Sequence, residues 1–230
     1  EEANAFMETH AFQNFTMVGL HVRAGNGEKG DFARKGRGVD DLDRWTSNVA
    51  ELLQKLTMSN YYIRNNKPMK VFLATDTPSV LHKLMTATKD IQVIMFEQTR
   101  VEEGKGVSYF HKWKDNQDAM CHRGWVDQFM DMALLTSCDM VVAGQYSSFT
   151  QSMPLSLMMS NNTTTDQSVV GNAFCEIGQI GDMMECYSNY TDWMLSYPSS
   201  LPLIGNHSSP RQNKIFQLKL PHPTAREDLK

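Results

Sequence analysis

The sequence lacks three features that would assign it to other classes of protein. It has no apolar run of about 18 residues, which excludes a membrane-spanning helix within it. Its 22 basic and 26 acidic side chains form no long block, and the net charge of −4 argues against nucleic-acid binding. Its four cysteines show no CxxC spacing, so we expect no metal site. The chain of 230 residues, 41% hydrophobic, is long enough to bury the core of a large α/β domain.

Two features bear on the compartment in which the chain matures. Cys175 and Cys186 would close a short loop in an oxidising environment, and two reduced, buried thiols explain the sequence equally well. The acceptor pattern for N-glycosylation, Asn-X-Ser/Thr, is more frequent than the composition leads us to expect. It occurs at Asn14, Asn161, Asn162, Asn189 and Asn206. This excess favours the secretory pathway, and we expect the protein in the Golgi lumen.

Short apolar segments alternate with segments of helical periodicity along the first two thirds of the chain. Such alternation predicts a parallel sheet with right-handed crossovers. Strands are predicted at 15–22, 70–75, 92–96 and 139–143, and helices at 40–56, 79–88, 124–136 and 149–159. In the helix at 124–136 we expect the buried face to contain Val126, Phe129, Met130, Ala133 and Leu134, with Asp131 in solvent. Periodicity fades after residue 160, and 187–230 is predicted to be an extended tail.

The segment HVRAGNGE, from His21 to Glu28, follows the first predicted strand directly. Arg23 has a permanent charge and a planar fork of donors that fits a phosphate or diphosphate. Gly25 and Gly27 allow the backbone to approach a ligand closely. Since α/β folds bind phosphorylated ligands at the carboxyl end of the sheet, this segment predicts an anion site.

Polar residues also follow two other predicted strands, and parallel strands end at one shared edge. Asp76 follows the second strand and could accept hydrogen bonds from a ribose or a guanine amine. Ser147 and Ser148 follow the last strand and could hold phosphate oxygens. Asp76 and Ser148 could each also serve only as a helix cap. Together with Arg23, these residues predict a nucleotide-sugar site.

Three segments resemble, in order, the shared motifs of the α1,6-, α1,2- and protein O-fucosyltransferase superfamily. They are Val18–Glu28, Val71–Leu84 and Met130–Leu157. The first is similar to the nodulation-type α1,6-fucosyltransferases, and the others resemble the N-glycan core α1,6-fucosyltransferases. The resemblance implies an α/β fold with a Rossmann-like parallel sheet, the C-terminal half of a GT-B-type glycosyltransferase. It divides the chain into a lead-in at 1–14, a GDP-sugar-binding domain at 15–186 and the tail at 187–230.

The resemblance also implies an enzyme that binds GDP-fucose and transfers fucose with inversion to a glycan or glycoprotein acceptor. It implies no metal cofactor, because arginine and backbone amides stabilise the leaving diphosphate. Arg23 and Glu28 are the expected catalytic residues, with Glu28 as general base. Expected donor contacts are His21, Arg23, Gly25, Asn26, Asp76, Asp131, Ser147 and Ser148. We expect the isolated chain to need an N-terminal acceptor domain for transfer, and to meet a membrane only through a segment outside this sequence.

Two other functions remain open at this stage. A glycosyltransferase-like module that binds GDP or a glycan without catalysis is favoured by Ala24, which replaces the second basic residue of many relatives. The other possibility is a transferase that uses another nucleotide sugar, which would need the same contacts to the diphosphate. Donor binding and the effect of replacing Arg23 distinguish these possibilities.

Overall fold

A computed structural model describes residues 1–23, 39, 41–59, 66–98, 117–144, 149, 173–178, 180–187 and 214–220. The amino-terminal helix α1 (Glu2–Thr9) and a short 3-10 turn (Phe12–Asn14) precede strand β1 (Thr16–Val22). Next come α2 (Leu42–Thr57), β2 (Met69–Thr75), α3 (Ser79–Ala87), β3 (Gln92–Ile94), α4 (Gln117–Thr136) and β4 (Met140–Gly144). The chain then adds β5 (Ala173–Ile177), β6 (Met183–Tyr187) and β7 (Lys214–Lys219).

The strands form one sheet of seven in the order β3-β2-β1-β4-β5-β6-β7. The first five strands along the chain are parallel, and β6 and β7 are added antiparallel at one edge. All residues of β1 and β2 are buried, as expected for strands covered on both faces. The predicted α/β fold with a Rossmann-like parallel sheet is therefore confirmed, and the four predicted strands lie within two residues of β1 to β4.

Helices pack on both faces of the sheet and bury two separate apolar clusters. On one face, Trp45, Leu52 and Leu56 of α2 meet Leu84 of α3 and the strands. On the other face, Phe6 of α1 and residues of α4 pack against the sheet. Helix α2 begins where the side chain of Asp41 accepts a hydrogen bond from the backbone amide of Arg44 at 3.0 Å. No helix within the described ranges is long and apolar enough to cross a membrane.

The last strands differ from the prediction. Sequence periodicity predicted none after residue 160, yet β5 and β6 form a hairpin and β7 pairs with β6. Strand β7 lies inside the segment that was predicted to be an extended tail. Its alternating sequence KIFQLK suits an edge strand with one solvent-facing side, a pattern too short to separate from loop sequence. The predicted three-part division of the chain stays a prediction.

The buried face of α4 also differs from the prediction. Phe129 is 63% exposed, whereas Asp127 and Asp131 are 3% and 6% exposed. The buried side of the helix carries these two aspartates together with Leu134 and Leu135. Periodicity placed Asp131 in solvent because it assumes that apolar residues alone face the sheet.

The structure decides between the two possibilities for Cys175 and Cys186. These residues lie directly opposite each other on β5 and β6 and form a disulfide. Among the described residues, Cys138 is a free, buried thiol. Burial raises the pKa of the Cys138 thiol, so Cys138 is protonated and unreactive at neutral pH.

Candidate functional site

The order of the strands identifies one edge of the sheet as the place for a ligand. The chain runs outward from β1 to β3 on one side and from β4 to β5 on the other. The order therefore reverses between β1 and β4, and a crevice opens at their carboxyl ends. Arg23 follows β1 at this edge, and Gly144 ends β4. In this class of fold, ligands bind outside such a reversal point.

Arg23 and Asp76, which are distant in sequence, meet at this edge. Strands β1 and β2 are parallel and in register, with Val22 opposite Thr75, so the residues that follow them are neighbours. The Arg23 Nε atom lies 3.9 Å from Asp76 Oδ2. Both side chains are partly exposed, at 38% and 29%. The carboxylate therefore restricts the guanidinium while leaving it accessible to a ligand from solvent.

The loop after β2 holds the other oxygen of Asp76. The Thr77 hydroxyl donates a hydrogen bond to Asp76 Oδ1 at 3.2 Å. The Thr77 backbone amide donates to the Thr75 hydroxyl, also at 3.2 Å. The N-cap residue of α3 is Pro78, so Asp76 lies two residues before the cap position. Sequence analysis missed Thr75 and Thr77, whose hydroxyls support the carboxylate.

His21 lies beneath this pair as a buried, uncharged ring. Its side chain points from β1 with only 7% of the residue exposed, and its ring stacks on Phe149 at 4.6 Å between centroids. Burial, and next the positive charge of Arg23, lower the pKa of His21 to about 3. The imidazole is therefore neutral at physiological pH and adds no charge to the anion site. Phe149 lies in the third family-like segment, but its stacking partner could not be inferred from sequence.

Asp127 and Asp131 lie one helical turn apart on the buried side of α4. Helix α4 runs antiparallel to the strands and ends shortly before β4 begins. Asp127 lies about 14 Å before the helix end, close to the length of β4 at about 16 Å. It is thus level with the carboxyl edge, where its backbone carbonyl accepts a hydrogen bond from Gln98 Nε2 at 3.1 Å. Asp131, the predicted donor contact, lies one turn deeper.

Two buried carboxylates on one helix face are unusual in a structural core and more typical of functional sites. Asp127 was not among the predicted residues. Its spacing of four from Asp131 was the available signal, because residues four apart share one face of a helix.

The remaining predicted site residues lie outside the described residues. These are Gly25, Asn26, Glu28, Ser147 and Ser148. Within the ranges that the structure describes, no group of three or more His, Cys, Asp or Glu side chains could hold a metal ion. Among the described residues, the site therefore consists of the partly exposed Arg23 and Asp76, together with the buried Thr77 and His21.

Solved structures share this fold. The chain is 21% identical to a NodZ alpha-1,6-fucosyltransferase co-crystallised with GDP, with a TM-score of 0.50. That match covers 82% of this chain and 46% of the solved one, so the present chain spans about half the length of the structure it matches. A fucosyltransferase NodZ from Bradyrhizobium matches at 21% identity and a TM-score of 0.44, over 76% of this chain and 42% of that one. The first of these likenesses agrees with the predicted GT-B-type half.

No match was found among curated protein sequences. The model of the family described as "NodZ: Nodulation protein Z (NodZ)" matches residues 3–177, which is most of the chain. The matched range includes β1 to β5 and therefore both strands that carry Arg23 and Asp76. The chain belongs to the nodulation protein Z family.

Proposed function

We propose that this chain binds GDP-fucose at the carboxyl edge of its sheet, as the donor-binding part of a fucosyltransferase. The observation that carries the proposal is the meeting of Arg23 and Asp76 beside the reversal point of the sheet. Arg23 suits the diphosphate and Asp76 suits the nucleoside, so the pair matches the two parts of GDP. Support comes from the family and from the related NodZ enzyme, which was co-crystallised with GDP.

In this proposal Arg23 binds the β-phosphate of the donor. Cleavage of the bond between fucose and diphosphate develops negative charge on the leaving group. A guanidinium fixed beforehand by Asp76 stabilises that charge without having to reorganise. The reaction then needs no metal cofactor, since the cation is supplied by the protein.

The uncharged state of His21 is useful in the same site. A neutral imidazole can donate one hydrogen bond and accept another, whereas an imidazolium beside Arg23 would repel the guanidinium. Stacking on Phe149 fixes the plane of the ring. We propose that His21 orients the donor or the Arg23 backbone and does not act as an acid or base, because its pKa of about 3 is far below neutral pH.

The acceptor half of the reaction is also part of the proposal. We propose transfer with inversion to a glycan or glycoprotein, with Glu28 as general base, assisted by a further acceptor-binding domain. Donor contacts from Gly25, Asn26, Asp131, Ser147 and Ser148 complete the proposed site. We propose the Golgi lumen as the compartment, supported by the Cys175–Cys186 disulfide, since disulfides persist in oxidising compartments.

Calorimetric titration with GDP and GDP-fucose, without metal, tests the donor site. The wild-type chain is expected to bind both, and Arg23→Ala to lose about 100-fold or more in affinity, because two charge-assisted hydrogen bonds are removed. Arg44→Ala is the matched control, since it removes an exposed arginine from the start of α2. Equal affinity of Arg23→Ala and Arg44→Ala would overturn the assignment. Tighter binding of a UDP-sugar than of GDP-fucose would indicate another transferase.

The proposed contact between Asp76 and the guanine base is tested by comparing GDP with a nucleotide that has a different base. Inosine diphosphate differs from GDP only in lacking the exocyclic amine that a carboxylate could accept from. Wild type is expected to prefer GDP, and Asp76→Asn to reduce that preference about tenfold, equal to one charged hydrogen bond. A preference that is unchanged in Asp76→Asn would remove Asp76 from the nucleoside contact while leaving the Arg23 result intact.

A further inference from the structure

Asn14 occupies an exposed turn that is held firmly by its neighbours. The 3-10 turn before β1 is anchored by the buried ring of Phe12 and by Lys67, whose Nζ donates to the Gln13 carbonyl at 2.8 Å. The Asn14 backbone amide donates to the Ala11 carbonyl at 2.9 Å. The side chain of Asn14 faces solvent. A bulky group on this side chain would therefore extend into water without disturbing the turn.

Asn14 is the first residue of the acceptor pattern Asn14-Phe15-Thr16, whose third residue is in a different environment. Thr16 begins β1 and is only 1% exposed. Within the part of the chain that the structure describes, its hydroxyl has no hydrogen-bond partner. The folded protein therefore has no evident structural use for this hydroxyl, which an N-glycosylation acceptor requires. Because Thr16 is buried after folding, the pattern is accessible only while the chain is still unfolded.

An independent observation indicates the compartment in which such a modification occurs. Cys175 and Cys186 are paired in register on β5 and β6 and are fully buried as a disulfide. Structural disulfides form and persist in secretory or extracellular environments and are rare in the cytosol. Two thiols lose two electrons and two protons to the disulfide of an oxidoreductase, which becomes a dithiol. The same lumen contains the machinery for N-glycosylation.

We propose that Asn14 is an N-glycan attachment site, filled before β1 folds, in the compartment where the Cys175–Cys186 disulfide forms. In the reaction, Asn14 Nδ2 forms a C–N bond with the anomeric carbon of a diphosphate-activated oligosaccharide. The anomeric C–O bond to diphosphate breaks, and the amide loses one proton. Asn14 lies before β1, whereas Arg23 follows it, so the seven-residue strand separates them by about 23 Å. The glycan thus leaves the candidate site open.

Site-specific mass spectrometry tests this proposal on the full chain produced with a secretory leader in eukaryotic cells. Residues 1–22 contain no Lys or Arg, so the tryptic peptide that ends at Arg23 contains Asn14 as its one acceptor pattern. Enzymatic removal of the glycan converts Asn14 to Asp, which marks the site by mass. Cleavage at Glu176 and Glu185 separates Cys175 from Cys186, so their two peptides stay joined only through the disulfide.

Three variants sharpen the test. Asn14→Gln removes the acceptor amide, and Thr16→Val removes the acceptor hydroxyl with nearly the same shape, so both are expected to abolish the modification. Asn4→Gln is the matched control, because it changes an exposed asparagine of the same peptide that lies outside any acceptor pattern. Thr16→Val should also leave folding intact, since it replaces a buried hydroxyl that has no described partner.

The expected result is a glycan on the Arg23-ending peptide of wild type and Asn4→Gln, absent from the other two variants. An unmodified peptide in secreted wild-type chain would overturn the proposal, whatever the state of the cysteines. Separated Cys175 and Cys186 peptides under non-reducing conditions would overturn the disulfide part. Glycosylation of protein that had already folded would overturn the order of events. Neither the glycan measurement nor the disulfide measurement depends on binding of GDP-fucose at the donor site.

Discussion

The parallel part of the sheet, β1 to β5, and its antiparallel extension, β6 and β7, are built by different means. Strands β1 and β2 are buried along their whole length and consist of nearly uninterrupted apolar residues. The extension also contains polar contacts: Gln217 of β7 donates to Glu185 Oε1 of β6 at 3.1 Å, and within β6 the Tyr187 hydroxyl donates to Glu185 Oε2 at 3.4 Å. A disulfide then joins β6 to β5.

This difference has a physical cause. A strand covered on both faces is stabilised by the apolar area it buries, whereas a strand near an edge gains less from burial. In the extension, β6 is itself mostly buried, and the two strands are held in addition by a cross-strand polar pair, a covalent link and the hairpin turn. That turn contacts α2, where Asn48 Nδ2 donates to the Ile180 carbonyl at 2.8 Å. We therefore expect the two parts to respond differently to substitution.

The largest effect on this comparison is expected from removal of the disulfide. Replacing both partners, as Cys175→Ala with Cys186→Ala, should reduce the free energy of unfolding by about 2–4 kcal/mol, because the unfolded chain loses a covalent restraint. Denaturant unfolding measures the loss, and hydrogen exchange locates it. Amides of β6 and β7 should exchange faster while those of β1 and β2 change little. Equal loss of exchange protection in all strands would contradict a separately stabilised extension. A reducing agent should destabilise the wild-type chain and leave the double variant unchanged.

Gly181→Ala is expected to cost about 1–3 kcal/mol, because it strains the junction between the hairpin and α2. Gly181 has a φ of +67°, and a Cβ there would lie 2.8 Å from the Trp45 carbonyl oxygen. Thermal unfolding would measure the loss. Gly178→Ala, in the same turn, is the control: a Cβ there would meet the Asp182 side chain at 3.0 Å, and the residue lacks a positive φ. Equal destabilisation by the two variants would argue against strain at Gly181.

In the parallel part, His21 should make stability depend on pH. Its pKa is about 3 in the folded state, against the ordinary histidine value of 6.5, so the unfolded chain binds the proton more readily. The contribution of neutral His21 to the free energy of unfolding is therefore fully present above about pH 6.5. It is lost by up to about 1.4 kcal/mol per pH unit as pH falls toward 3. His21→Gln should flatten the profile of unfolding free energy, with exposed His82→Gln as the matched control. An unchanged slope in His21→Gln would contradict the buried, neutral state.

The smallest effect is expected at the cap of α2. Asp41→Ala removes the acceptor for the Arg44 amide and should cost about 1 kcal/mol of unfolding free energy. Circular dichroism during denaturant unfolding measures the change, and exposed Asp90→Ala is a control for loss of one negative charge. If both variants lost the same stability, charge and not capping would explain the effect.

The sequence predicted β1 to β4 well because their signals are local. The apolar run before His21 and the glycines after it identify a buried strand and its end, and the same holds for β2 before Asp76. It failed for the buried face of α4, for β5 and for the extension. Asp127 and Asp131 are buried although they are charged residues, so a pattern of apolar residues does not indicate their burial. Strand β7 is stabilised by partners on β6 that are remote in sequence.

By itself, the sequence determined strands β1 to β4, the two polar residues that follow β1 and β2, and the resemblance to fucosyltransferases, because all three depend on short segments. The tertiary structure decided which residues meet. It placed Arg23 beside Asp76, lowered the pKa of His21 by burial, turned two aspartates of α4 inward and joined Cys175 to Cys186. Each of these results depends on distance and burial between segments remote along the chain, which are properties of the folded chain alone.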